Sequence, residues 1–264
     1  MISKTSDSCK APTVGEASTF LAEYASWLLG CGATCIRIEK NVGRIARTLG
    51  FDVEITVMPA SVSLLLWDAE SGEERLAARR IHRCGINFGL NVRLSRLSWD
   101  IADRQCSFAE AGRRFREIVA MPPTGPREVL LLASAANAAF CRLFGGDGAA
   151  MLTVLLSTLA GYRLKQIMVA GGRDLRLTFV CASFFSASMS AAGSVFGFGT
   201  TPEIAVGTSV LYLIPGVPYI NAVSDMIDGH YLCAFSRFVD AAILTACLSA
   251  GLCVGMLLLG LDWF

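Results

Sequence analysis

The run LIPGVPYINAVSDMIDGH, Leu213–His230, places an amide and two carboxylates just behind two prolines in an otherwise apolar stretch. If the stretch after the prolines is helical, Asn221, Asp225 and Asp228 fall at i, i+4 and i+7 and share one face. A carboxylate in an apolar setting is costly unless it is paired, hydrogen-bonded or used, so an ionisable group there is a functional candidate by default. Asn221 offers hydrogen bonds to a substrate. Asp225 offers a carrier for a proton, with Asp228 and Asp147 as further proton-coupling candidates. Arg142 and Arg237 stand at the edges of apolar segments, where each is either a cation for an anionic substrate or a snorkelling charge. The competing reading puts Asp225, Asp228 and His230 at a membrane rim, where they solvate a loop.

The prolines supply the positioning. Pro215 removes a backbone donor and pushes Ile214 out of helical geometry. Gly216 tolerates what other residues resist, and Pro218 fits the first turn of a new helix. The spacing therefore predicts a broken span that restarts near Tyr219. Broken spans are tolerated where they line a cavity, and the new N-terminal end attracts anions. Pro215, Gly216, Pro218, Asn221, Asp225, Arg142 and Arg237 make up the substrate-binding candidates. No paired Cys/His spacing suggests a metal, no cofactor motif appears, and no nucleophile–base constellation suggests an enzyme. Cys31 and Cys35 could share a helix face. The ten cysteines read as apolar fillers in a reducing compartment.

The surrounding chain divides in two. Of 264 residues, 53% are hydrophobic and 17% charged, and the net charge of +1 argues against nucleic acid. Residues 1–126 hold 16 of the 23 Lys/Arg and 14 of the 22 Asp/Glu. This part predicts a cytoplasmic α+β domain, its first residues being polar with no apolar signal segment. Glu16–Leu49 is helical with a break at Gly30-Cys31-Gly32, and Gly50 is a C-cap. Val53–Met58 and Ser61–Trp67 form a hairpin, and a third strand runs near Arg75–Ile81. Asn91–Asp103 fits strand or helix. Ser107 opens a capping box with Glu110.

Residues 127–264 predict a transmembrane domain with spans at about 129–146, 149–164, 177–198, 204–218 and 240–261. The fold class is thus a mainly α membrane protein: an α+β domain, then a five-helix bundle with a Pro-broken fourth span. Lys/Arg placement puts the N-terminus in the cytoplasm and the C-terminus in the periplasm, with Trp263 and Phe264 as interface anchors. Ser183, Ala187, Ala191 and Val195 form one small-residue row, and Ser186, Ser190 and Ser194 another. With Gly251-x-x-x-Gly255 they predict close helix packing.

FCRLFGGDGAA (Phe140–Ala150) and LIPGVPYINAVSDMIDGH, followed by Arg237, carry a resemblance to the bacterial threonine/serine exporter family. It covers about Glu16–Leu261 and is nearer to the YjjP-type subunit of the split, two-gene branch. The resemblance implies a multi-pass inner-membrane exporter of small carboxylates, with succinate or a related C4-dicarboxylate as substrate, or threonine and serine as in the fused branch. It also implies a partner, a second small multi-span subunit of the YjjB type, in a hetero-oligomer. A membrane-anchored regulatory or sensing subunit of a transporter is the alternative from another class.

Overall fold

A computed structural model describes residues 12–82, 84–197 and 199–259, with the side chains of 193–195 outside the description. It is mainly helical, with one three-stranded sheet. The chain forms two compact units. The first joins Met1–Pro123 to a returning piece, Pro218–Phe238; the second joins Thr124–Val217 to Val239–Phe264. The sequence reading places 218–238 within the 127–264 domain; these residues pack instead with the first unit.

In the first unit, α1 (Val14–Gly30) opens on a full capping box, the Thr13 side chain accepting from Glu16 N–H while Glu16 reaches back to Thr13 N–H. It ends in the tight turn Cys31–Thr34, where Gly32 takes φ +91°, and α2 (Cys35–Leu49) follows. Cys31 and Cys35 therefore lie on either side of a turn rather than on one helix face. Gly50 closes α2 in the left-handed conformation, φ +87°. Strands β1 (Asp52–Met58), β2 (Ser61–Trp67) and β3 (Glu74–Arg80) make an antiparallel meander with β2 central. Val62, Leu64 and Leu66 on β2 alternate into the core. They meet Leu21, Tyr24 and Leu28 of α1 and Ile38, Val42 and Ile45 of α2 in one cluster. The ambiguous stretch resolves as helix α3 (Phe88–Ala102), which buries Leu90, Leu94, Leu97 and Ile101. Tyr24 donates its hydroxyl to the Leu94 carbonyl at 2.8 Å. Helix α4 (Phe108–Ala120) starts at its predicted cap, Ser107 accepting from Glu110 N–H. Arg75, Arg79 and Arg80 sit on the outer strand β3.

The second unit contains α5 (Pro126–Leu143), α6 (Gly148–Ala170), α7 (Leu175–Val195), the short α8 (Pro202–Thr208) and a 3-10 turn, Leu211–Leu213. After Ile214 and Pro215 comes α9 (Gly216–Ile227), and then α10 (Tyr231–Leu258). The predicted break is present. The helix restarts at Gly216, ahead of Tyr219, with Pro218 in its first turn. Among the described residues, α7 and α10 are long and apolar enough to cross a membrane, and Pro202–Leu213 with Gly216–Ile227 forms a third, broken candidate. α5 and α6 are not among them. α5 carries Arg127, Glu128 and Arg142, and α6 carries Arg163 and Lys165 among serines, threonines and glycines. The last helix begins at Tyr231 rather than near 240, because nothing from Tyr231 to Ala250 breaks a helix; Arg237 lies inside it. Trp263 and Phe264 fall outside the described residues.

Polar side chains join the helices of this unit. Asn137 on α5 donates to Thr158 Oγ1 (2.7 Å) on α6 and to the Thr208 carbonyl (3.1 Å) on α8. Ser190 on α7 donates to Ser157 on α6 at 3.0 Å, and Ser186 pairs with Tyr212 at 2.9 Å. The two small-residue rows of α7 thus serve different neighbours. Ser186 and Ser190 face α6, while Ser183 and Ala187 face Gly251 and Gly255 of α10. Ser194 and Val195 carry those rows beyond the described side chains.

Candidate functional site

The site lies in the first unit and is built on a helical hairpin. Helix α9 ends at a left-handed Gly229 (φ +85°), and His230 N–H closes back onto the Asp225 carbonyl at 2.7 Å. Gly229 can hold that conformation without a Cβ penalty. The tight turn brings the first turns of α10 alongside the end of α9, so Arg237 faces Asp225.

Three side chains of this hairpin address the turn between α1 and α2. Asn221 Nδ2 donates to the Gly32 carbonyl at 2.9 Å. Arg237 Nη2 donates to the Ala33 carbonyl at 2.8 Å. Asp225 Oδ1 accepts from Cys35 N–H at 2.8 Å. Cys35 is the first residue of α2, whose N-cap residue, Thr34, supplies no side-chain hydrogen bond. Asp225 supplies it instead, from 190 residues away. A carboxylate there meets both an orphan N–H and the positive end of the helix dipole.

The second carboxylate oxygen of Asp225 faces Arg237 Nη1 at 3.3 Å. Asp225 is fully buried, and the Arg237 side chain is 18% exposed. Among the described residues, neither Asp225 Oδ2 nor Arg237 Nη1 has a hydrogen-bond partner, although both atoms are buried. The pair is therefore ionic contact without a hydrogen bond. Interaction with the neighbouring Cys233 thiol, and then burial, pushes the Cys35 thiol well above its ordinary range. Cys233 in turn donates to the Val57 carbonyl at 3.4 Å. His230 Nε2 lies 3.4 Å from Glu39.

The structure brings Asn221, Asp225 and Arg237 together, with Pro215, Gly216 and Pro218 shaping the helix that carries the first two. Asp228 lies past the end of α9 and is exposed, so it does not continue the Asn221–Asp225 face. Arg142 and Asp147 belong to the second unit. Among the described residues no ion pair joins them. Arg142 Nη1 donates to the Gly146 carbonyl at 3.1 Å. Asp147 is occupied as the N-cap of α6, accepting from Ala150 N–H (2.7 Å) and from the Thr200 hydroxyl (2.8 Å). The turn residues Gly32, Ala33 and Cys35 escape sequence reasoning, since they contribute only backbone groups; the one local signal is an N-cap threonine followed by no acidic or glutamine side chain at N3.

Asp147 yields a pH prediction. Donation from Thr200 N–H, then Ala150 N–H and the Thr200 hydroxyl, holds its carboxyl at about 2, below the ordinary 3.8. A lowered folded-state pKa contributes stability that is complete above the unfolded value and is lost as pH falls through the folded one. The advantage of the wild-type chain over Asp147→Ala is therefore expected to be constant above about pH 4. It should shrink steadily towards about pH 2, as read by acid unfolding of the two proteins in detergent. A gap that widens on acidification would contradict the assignment.

Residues 19–259 match the family model ThrE, described as "Putative threonine/serine exporter". The chain belongs to the threonine/serine exporter family. It is 30% identical over 243 residues to a Klebsiella aerogenes protein named "Probable succinate transporter subunit YjjP", covering 90% of this chain and 92% of that one. It is 29% identical over 239 residues to the Escherichia coli K12 protein of the same name, covering 89% and 91%. No solved structure matches the chain. Membership in the exporter family, with two apolar helices of spanning length and the broken pair between them, places the chain among membrane transport proteins.

Proposed function

We propose that this chain is the larger subunit of an inner-membrane exporter of small carboxylates, succinate or related C4-dicarboxylates, working with a second, smaller multi-span subunit of the YjjB type. One observation carries the reading. A half-buried arginine and the N-terminal N–H of a helix converge on a carboxylate, next to an asparagine on a Pro-broken helix. Arginine and helix N-termini are the groups that bind carboxylates with direction. Likeness to two succinate transporter subunits supports the dicarboxylate, and "subunit" in their names supports the partner. The 1–126 part is cytoplasmic in this reading, and the C-terminus is periplasmic. Asn221, Asp225 and Arg237 form the substrate site, and Asp225 is the proton-coupling group.

Threonine or serine export is the second reading, favoured by the description of the family model. Counterflow of radiolabelled succinate against threonine in proteoliposomes holding both subunits separates the two. Succinate is expected to exchange, and Asp225→Asn and Asn221→Ala are each expected to reduce it at least tenfold while the subunits still co-purify. Wild-type rates in both variants would remove the site from the pathway.

A further inference from the structure

The place that Asp225 fills has the makings of a site for a free ligand. It presents an oriented N–H at the start of a long helix and a guanidinium fixed by its other nitrogen to the Ala33 carbonyl. Asp225 uses these donors incompletely. Tethered to α9, its carboxylate takes the Cys35 N–H, and its other oxygen then stops 3.3 Å short of Nη1 with no hydrogen bond formed. A buried donor and a buried acceptor left unsatisfied are each costly, and more so when charged. A carboxylate on a free molecule carries no such tether. It can turn to take the helix N–H and Nη1 together, gaining the charge-assisted bond that Asp225 does not make.

We propose that Asp225 is an internal competitor: it occupies a carboxylate seat formed by Arg237 and the Cys35 N–H, and a carboxylate of the transported substrate displaces it. Binding then unlocks α9 from the α1–α2 turn, and return of Asp225 expels the substrate. The exchange makes and breaks only ionic contacts and hydrogen bonds: Arg237 always faces one carboxylate, and the displaced Asp225 takes up the proton of its proposed coupling role. The ligand's identity rests on the exporter reading; the seat itself does not. One seat reads one carboxylate, which a C4-dicarboxylate and an amino acid both present.

The test uses the purified full-length chain. Removing the Asp225 side chain in Asp225→Ala leaves the seat empty. Acetate and formate are then expected to raise the melting temperature of Asp225→Ala by several degrees, wild type by much less, and Asp225→Ala/Arg237→Met not at all. Sodium chloride at equal ionic strength should do nothing. Absence of carboxylate rescue, or equal rescue of the double variant, overturns the proposal. Should Asp225→Ala fold poorly, Asp225→Asn retains an acceptor for Cys35 N–H but no competing charge. It is expected to bind radiolabelled succinate at least tenfold more tightly than wild type, an effect lost with Arg237→Met; unchanged or weaker binding refutes the exchange. With threonine as the parallel probe, tightening for threonine alone keeps the seat and sinks the dicarboxylate reading. Rescue without counterflow sinks the exporter reading and keeps the seat, whereas counterflow without rescue does the reverse.

Discussion

Arg237→Ala is expected to lower the unfolding free energy of the first unit by about 3–5 kcal/mol. The side chain does two things. It donates to the Ala33 carbonyl, worth about 1 kcal/mol net, and it is the counter-charge of Asp225, which has no exposed surface. Truncation leaves that carboxylate buried with a single N–H for company. Breaking one side of a buried pair costs far more than the pair itself contributes, because the stranded charge keeps its full desolvation penalty. Removing both charges avoids this, so Asp225→Leu/Arg237→Met should recover most of the loss, and the two single effects should fail to add. Asn221→Ala, which removes one hydrogen bond at a half-buried position, should cost only about 1 kcal/mol. Denaturant unfolding in detergent can follow Trp27, Trp67 and Trp99, all in this unit. Additive losses in the double variant would show that the two charges are not energetically paired.

What the sequence disclosed follows from the range of the interactions involved. Gly50, Ser107 and Pro215 act on their immediate neighbours, and each of these local signals is found where its chemistry requires it. The alternation of Val62, Leu64 and Leu66 is likewise a property of one strand. The Asn91–Asp103 stretch fits two periods on paper, and packing of Leu94, Leu97 and Ile101 into the core decides for the helix. The charges Arg237 and Asp240 mark an end to the last apolar run, which sets the expected span near 240, whereas the helix itself starts at Tyr231 and Arg237 meets Asp225 and the Ala33 carbonyl. Asp225 was legible as an oddity, but its role was not. The groups it meets are a backbone N–H and an arginine 12 positions away across a turn, and the first of these lies near the other end of the chain. Cys35 and Cys233 read as fillers for the same reason. Nothing local reveals that the two thiols are neighbours.

Gly251→Val is expected to cost about 3 kcal/mol, near the upper end for forced overpacking. Even the first added carbon atom, a Cβ on Gly251, would collide with Ser183 Oγ and with the Val180 carbonyl oxygen, and would sit 3.0 Å from Phe184 N. Neither obstacle moves easily. The Val180 carbonyl is fixed within α7, and Ser183 is tied to it by a 3.1 Å hydrogen bond. Gly255 is one turn along the same face, and there the collision is milder. A Cβ would lie 3.1 Å from Ala187 Cβ, 3.1 Å from the Phe184 carbonyl oxygen and 3.2 Å from Ser188 Oγ, distances that a few tenths of an ångström of adjustment relieve. Lipid tails are as apolar as leucine, so two spanning helices gain little by hiding apolar surface from water and depend on close approach. A rank order follows: Gly251→Val should lower the detergent melting temperature most, Gly251→Ala less, and Gly255→Ala least. If Gly255→Ala proved more harmful than Gly251→Ala, the contact between α7 and α10 would have to be centred one turn further towards the C-terminus of α10.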